Sequence, residues 1–382
     1  MRFTLGLTLL VALASPTSLL AQSDSATTSA EPFKVGTFEI GGAPRVGIVL
    51  RDSLIVSLDA ANAGLETDPA YPALPMPADM LELIGRYEDG LKSRLYEIVN
   101  DLVANDRLVG NARADFVYDV DEIRILPPIM YPGKILNAAV NFYSHVDEQG
   151  TPEERAESRR LRRVNRGVPY LFLKPSRGAV IGNGDSVVIP YGRDRLDWEV
   201  ELSTVIGRAA KYVTAADAQD HVFGYMVSLD ISDRGGRPPG GLGLTSDWFV
   251  GKGHDSHAPL GPWIVPKEFY GDPMENLRQT LSVDGEQMQE ATAGDMIHSL
   301  YELIEYASSI VTLFPGDVIN NGTSGGTGVG TQYREQRFLQ PGEEIVATID
   351  GIGTLRMPVV AEEEPPTGSG AQLPPVSSYQ QN

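Results

Sequence analysis

Two glutamates lie two residues apart within Asp197-Trp198-Glu199-Val200-Glu201-Leu202-Ser203-Thr204-Val205-Ile206-Gly207. β-Branched and aromatic residues running up to a glycine spell a β-strand. Positions two apart in a strand share a face, so Glu199 and Glu201 point one way and Val200 and Leu202 the other. Neighbouring carboxylates repel unless a cation or a shared proton sits between them. The face is therefore either solvated or the lining of a site, and any fold must satisfy one of these. A second strand pattern, Val222 to Asp230, ends in an acidic residue where a loop begins at Ile231 to Arg234. Laid beside the first strand, it brings Asp230 to the two glutamates. Three carboxylates with no thiol make an all-oxygen site suited to Mg²⁺, Mn²⁺ or Ca²⁺ rather than Zn²⁺.

The chain is long enough, at 382 residues, for one large domain or two ordinary ones. A net charge of −20 argues against nucleic-acid binding, which needs a basic surface. With no cysteine, disulfides, thiolate nucleophiles and zinc–thiolate sites are excluded. Met1-Arg2, an apolar run from Phe3 to Ala14, and Leu19-Leu20-Ala21 before Gln22 have the three-part layout of a secretory signal peptide. The apolar run is too short for a stable membrane span. The expectation is export, periplasmic or secreted, with cleavage near Ala21.

Composition and patterning divide the chain into five segments: a signal peptide over 1–21, a linker over 22–32, an N-terminal β/α region over 33–128, a catalytic domain over 129–360 and a disordered Pro/Ser/Gly/Gln tail over 361–382. Lys34 to Ile40, Arg45 to Leu50 and Leu54 to Leu58 read as short strands, and Asp79 to Tyr87 and Gly90 to Ala104 as helices. Thr151-Pro152-Glu153-Glu154 opens a helix expected to run to about Arg166 and stop at Gly167. It carries six arginines, read either as a solvated face or as a lid that attracts an anion. Asp295 to Leu313 is expected as an amphipathic helix containing His298.

Candidate chemistry is sparse. His145 is expected at a strand end, with Glu148 one helical turn away to orient the imidazole. His254 and His257 are spaced to ligate a metal, and His221 reads as structural. Lys252, behind Trp248-Phe249-Val250-Gly251, is a candidate for charge stabilisation. Gly322 to Gly330 looks like a phosphate cradle but lacks the Lys-Ser/Thr of a P-loop, so its amides and the Thr323 hydroxyl are expected to meet a carboxylate.

Taken in order, Asn141-Phe142-Tyr143-Ser144-His145 with Glu148, Leu171 to Pro175, Asp197 to Glu201 with Val205-Ile206-Gly207, Gly224-Tyr225 to Asp230, Ser232, Arg234, Gly251-Lys252, Pro259-Leu260-Gly261-Pro262, and Pro315-Gly316-Asp317 with Gly322-Thr323 resemble the fumarylacetoacetate hydrolase family. The resemblance spans roughly Phe33 to Val360. It implies an α+β, predominantly β fold, with a mixed β-roll catalytic domain behind the small N-terminal β/α region, assembled as a homodimer. It further implies Mg²⁺ (or Mn²⁺ or Ca²⁺) held by Glu199, Glu201 and Asp230. His145 with Glu148 would activate water, Lys252 would assist charge at the metal, and Lys174, Arg234 and Thr323 would hold a small anionic keto acid. The chain departs from the family pattern at Arg237, where many members carry Gln, at Ser324, where Pro is usual, and in its export signal. The expected activity is hydrolysis of a carbon–carbon bond beside a carbonyl in a β-dicarbonyl acid. An isomerase or decarboxylase at the same site is the alternative, and a non-catalytic exported carboxylate-binding protein is the alternative outside enzymes.

Overall fold

In the computed structural model, residues 26–148, 150–239, 246–330, 335–370 and 373–380 are described. The signal peptide expected over 1–21 lies outside them. Strands Phe33–Ile40, Ala43–Leu50 and Leu54–Ser57 form an antiparallel meander, with Val35 opposite Ile48 and Ile48 opposite Val56. Helices Met80–Arg86 and Lys92–Ala104 stand where helical periodicity puts them, and Leu91, Leu95, Ile98, Val99 and Leu102 are all buried. Helix Leu58–Leu65 gives no clear periodicity in the sequence, because one of its four buried positions is Asn62 and its apolar stripe is thin.

The meander is joined to the rest of the chain by its edge. Strand Phe33–Ile40 also meets strand Ala258–Pro266 at Val35 and Ile264, so one large sheet runs through both regions. Leu83, Tyr87 and Leu95 of the N-terminal region pack in one cluster with Phe223, Met226 and Leu260 from beyond Pro128. Each aliphatic or phenylalanine side chain contributes about 1.5–3 kcal/mol on burial, so the shared core fastens the two regions together.

A second sheet orders strands Glu286–Thr292, Arg278–Val283, Glu344–Ile349, Gly353–Ala361 and Val187–Ile189. Trp198, Val200, Leu202 and Tyr225 from the large sheet meet Leu281, Val283, Ile345 and Met357 from the small one in the largest apolar cluster. This is the sheet-rich, rolled α+β architecture expected from the sequence. Among the described residues, no helix is long and apolar enough to cross a membrane.

Several expectations change. The helix placed over Asp295 to Leu313 is Leu300–Ile310, capped by Ser299 and Glu302 in reciprocal hydrogen bonds, so His298 precedes it rather than lying within it. The helix opened by Thr151 has the expected capping box but ends at Val164, and it stays on the surface with no buried residue. His145 sits in a short helical turn, Tyr143–Val146, rather than at a strand end. Residues 373–380 of the tail make contacts with the body of the fold. Val376 is buried, the Tyr379 hydroxyl accepts from Arg193 Nη1 at 2.6 Å, and Gln380 Nε2 donates to the Gly235 carbonyl at 2.6 Å. Arg193 is buried against Asp233, at 2.6 Å; its Nη2 donates to the Gly236 carbonyl at 2.8 Å and the tail supplies the Tyr379 hydroxyl as an acceptor for Nη1.

Candidate active site

Strand Val200–Ile206 pairs antiparallel with strand Val222–Leu229, with Val200 opposite Leu229 and Glu201 opposite Ser228. Glu199 immediately precedes the first strand and Asp230 immediately follows the second. The Asp230 amide donates to the Glu199 carbonyl at 2.9 Å, so the two residues extend the ladder by one rung. Both glutamates and Asp230 thereby arrive at one end of the strand pair, each offering an oxygen within 4.8 Å of the others. They are 4 %, 1 % and 1 % exposed, which rules out a solvated polar strand face.

Three cations face this cluster, unevenly. Lys252, at the end of helix Trp248–Lys252, donates to Glu199 at 2.8 Å and to Asp230 and Ser232 at 2.6 Å each. Lys174, at the end of strand Leu171–Lys174, bonds the other Asp230 oxygen and the Ile231 carbonyl. Arg234 bridges Asp197, at 3.0 Å, and Glu199. Glu201 is left with no cation in ion-pair contact among the described residues, and its Oε2 accepts only the Gly322 amide, at 3.0 Å. Burial and the charges of Asp230 and Glu199 push the Glu201 carboxyl well above its ordinary range. Burial acts the same way on Glu199, but the charges of Lys252 and Arg234 outweigh it and hold Glu199 well below. Burial, with the nearby Lys252 charge, lowers Lys174, whereas Asp230 and Glu199 overcome burial at Lys252 and raise it. An uncompensated carboxylate beside two others, all oxygen donors, fits a divalent cation.

His145 turns Nδ1 to the Glu148 carboxylate. With the proton held on Nδ1, the Nε2 lone pair is free to act as a base. The Tyr143–Val146 turn is anchored from both sides. Asn141 donates to the His298 and Asn321 carbonyls at 3.0 and 2.8 Å, and Ser144 accepts the Gly325 amide at 2.8 Å.

The glycine-rich loop does meet carboxylates, and they are the protein's own. Gly322 takes Glu201; Gly326, Thr327 N (2.7 Å) and Thr327 Oγ1 (2.8 Å) take Glu148; Gly328 (2.6 Å) and Val329 (3.2 Å) take Asp197. A Cβ on Gly326 would lie 2.0 Å from the Met288 carbonyl oxygen, and one on Gly328 would lie 2.1 Å from that of Arg337. No other residue allows this approach. Thr323 reaches the cleft, but its hydroxyl bonds the Val200 carbonyl at 3.1 Å and accepts from Gln289 at 2.8 Å. Asp197 and Thr327 carry roles that the sequence does not suggest. The glycine run is a signal that carboxylates are held there, but it does not say which ones.

His145, Glu199, Glu201, Asp230, Arg234, Lys252 and Thr323 line one cleft of 60 Å³ together with Ala138, Ala139, Val140, Phe172 and Trp248. Lys174 stands behind Asp230 rather than on the cleft wall. A larger cleft of 140 Å³ beside Met80 and Tyr131 has no carboxylate cluster. No residue of helix Pro152–Val164 lines the 60 Å³ cleft. Arg159 on that helix is tied to Asp147 and Arg160 to Glu157.

His254 and His257 stay outside the carboxylate cluster. His254 Nε2 meets Asp233 at 3.2 Å, and His257 Nε2 donates to the Val188 carbonyl at 3.1 Å. Burial, with Lys174 and His254 nearby and Asp233 opposing them, lowers His257 to about 3 from an ordinary 6.5. A lowered folded value means the unfolded chain takes up the proton first. The contribution to stability is therefore full above pH 6.5 and declines as pH falls toward 3. Between about pH 7.5 and about pH 5 the unfolding temperature should drop in the wild type, with about 1.4 kcal/mol at stake for each tenfold difference in proton affinity between the folded and unfolded chain. It should drop less steeply in His257→Phe. Equal slopes in the two proteins would remove His257 as the cause.

Fumarylacetoacetate (FAA) hydrolase C-terminal is the family description that matches, over residues 134–360. The chain belongs to the fumarylacetoacetate hydrolase family. Its relatives include a mitochondrial oxaloacetate tautomerase from Bos taurus, 35 % identical over 240 residues, which are 63 % of this chain and 70 % of that protein. The mitochondrial oxaloacetate tautomerase of Xenopus laevis is 31 % identical over 318 residues, or 83 % of this chain and 86 % of that one. Among solved structures, maleylpyruvate hydrolase from Sphingobium is 26 % identical with a TM-score of 0.62, covering 86 % of this chain and all of that one. That enzyme has also been crystallised with manganese(II) and pyruvate. Members of the fumarylacetoacetate hydrolase family thus carry hydrolase and tautomerase names around small keto acids.

Proposed function

We propose that this protein is a divalent-metal-dependent hydrolase that cleaves a carbon–carbon bond beside a carbonyl in a β-dicarbonyl acid such as an acylpyruvate. The observation that carries the reading is His145, held by Glu148, lining the same cleft as Glu199, Glu201 and Asp230. These three carboxylates would hold the ion, with Mn²⁺ or Mg²⁺ suited to the donor set, and when bound it supplies Lewis-acid polarisation of the substrate's oxygens. Arg234 and Lys252 add fixed positive charge on the carboxylate side of the cleft and orient an anionic substrate. His145 takes a proton from water through Nε2 while Glu148 holds the ring. The resulting hydroxide adds to the distal carbonyl carbon. The carbon–carbon bond then breaks with its electron pair leaving on the pyruvate carbon, and the imidazolium returns a proton to that carbon. One water is consumed, and pyruvate and a carboxylic acid are released, the acid losing its proton to solvent. Lys252 faces the region where negative charge develops. The basic and apolar start of the chain supports export as part of the same reading.

A second reading, tautomerisation of a keto acid, is favoured by the 35 % identity to the bovine tautomerase. It uses the same carboxylates and the same base but consumes no water. Assays of the purified protein against acetylpyruvate and oxaloacetate, with Mn²⁺ or after chelation, separate the two. Metal-dependent release of pyruvate and acetate is the expected result. Keto–enol conversion of oxaloacetate with no acylpyruvate cleavage would replace the first reading with the second.

A further inference from the structure

The lining of the cleft is of two chemical kinds. Glu199, Glu201 and Asp230 with their cations make one; Ala138, Val140, Phe172 and Trp248 make the other. The Phe172 and Trp248 rings lie 4.7 Å apart at 37°, and Tyr170 meets Trp248 edge-on at 5.5 Å. A run of three rings therefore begins inside the cleft and continues outward, leaving Trp248 42 % and Tyr170 54 % exposed. Contiguous ring surface at the mouth of a charged site is apolar area waiting for a cover.

Among the described residues, a second carboxylate on the substrate would find little support beside these rings. The Lys252 ammonium lies 5.2 Å from the Phe172 ring centroid, but it already donates to Glu199, Asp230 and Ser232. Arg234 is held by Asp197 and Glu199, and Arg237 by Asp247 at 2.9 Å. An anionic end there would lose hydration without gaining a partner, whereas a flat apolar group would gain ring contact.

We infer that the cleft selects a 2-oxo acid whose far end is a flat apolar group, with Phe172 and Trp248 as its specificity-determining residues. The inference rests on the proposal that the keto-acid end binds at the carboxylate cluster. The test uses the full chain loaded with Mn²⁺, titrated calorimetrically with phenylpyruvate, pyruvate and oxaloacetate, and then assayed for kcat/KM on benzoylpyruvate and acetylpyruvate. The aryl compounds should win by about tenfold in both binding and kcat/KM, the scale expected for covering one ring face. In Trp248→Ala that ratio should fall close to unity, and in Trp248→Leu it should fall part-way. Should the alanine variant not fold, the leucine variant carries the test. Oxaloacetate binding more tightly than phenylpyruvate, or an unchanged ratio in the folded variants, overturns the inference. Aryl preference in binding without turnover of either acylpyruvate supports it while removing the hydrolase reading.

Discussion

Glu201→Gln should raise the unfolding temperature of the metal-free protein, by roughly 2 °C or more, while lowering its Mn²⁺ affinity by about two orders of magnitude or more. The two effects share one cause. Glu201 is buried beside two other carboxylates, and among the described residues no ammonium or guanidinium is paired with it. Gln has the same shape, can keep its carbonyl on the Gly322 amide and ends the repulsion. Removing the charge also removes one of the three carboxylates proposed to hold the ion, and even second-layer partners of a metal commonly cost about 10–100-fold in affinity. Glu199→Gln should have the opposite sign in the metal-free protein. It leaves Lys252 and Arg234 short of a buried partner, a loss of about 3–5 kcal/mol. Thermal melts after chelation, with Mn²⁺ titration calorimetry on the same samples, read both quantities. Unchanged Mn²⁺ affinity in Glu201→Gln would take that residue out of the ligand set.

His145→Asn should lower kcat for acylpyruvate cleavage by about 10²–10⁴-fold with little change in KM, because a positioned base acts in the transition state rather than in substrate binding. Glu148→Gln should fall nearly as far for a different reason. The Glu148 carboxylate accepts from the Gly326 and Thr327 amides, from the Thr327 hydroxyl and from His145. A glutamine there turns an NH₂ toward donors and unsettles the ring that His145 must present. Two residues that work as one unit do not lose activity additively, so the double variant should be little slower than His145→Asn alone. A multiplicative loss in steady-state kinetics would show that the two act separately.

Much of this is legible in the chain because it is local. Alternation places Glu199 and Glu201 on one side of a strand, and Asp230 announces itself as the acidic end of another. Thr151-Pro152 and Glu154 mark a helix start that the structure keeps to the residue. What stays hidden is set by distance along the chain. The glycine-rich loop reaches its three carboxylates across sequence separations of 121 to 179 residues, and no periodicity records that. Which carboxylate lacks a cation depends on where Lys174, Lys252 and Arg234 converge from three different elements. The contacts of the tail are hidden for a related reason. Its proline-rich composition is that of a disordered segment, and the buried Arg193 guanidinium that Tyr379 satisfies lies 186 residues away.

That docked tail bears on how the protein should be purified. Tyr379 and Gln380 hold the Gly235 and Gly236 carbonyls, the first of them one residue past Arg234. A polyhistidine tag fused at the carboxyl end would be tethered to the same segment, bringing extra imidazoles and a pull on the anchor close to the carboxylate-lined cleft. A tag removed by protease before the measurements keeps both the tail and the metal titrations clean.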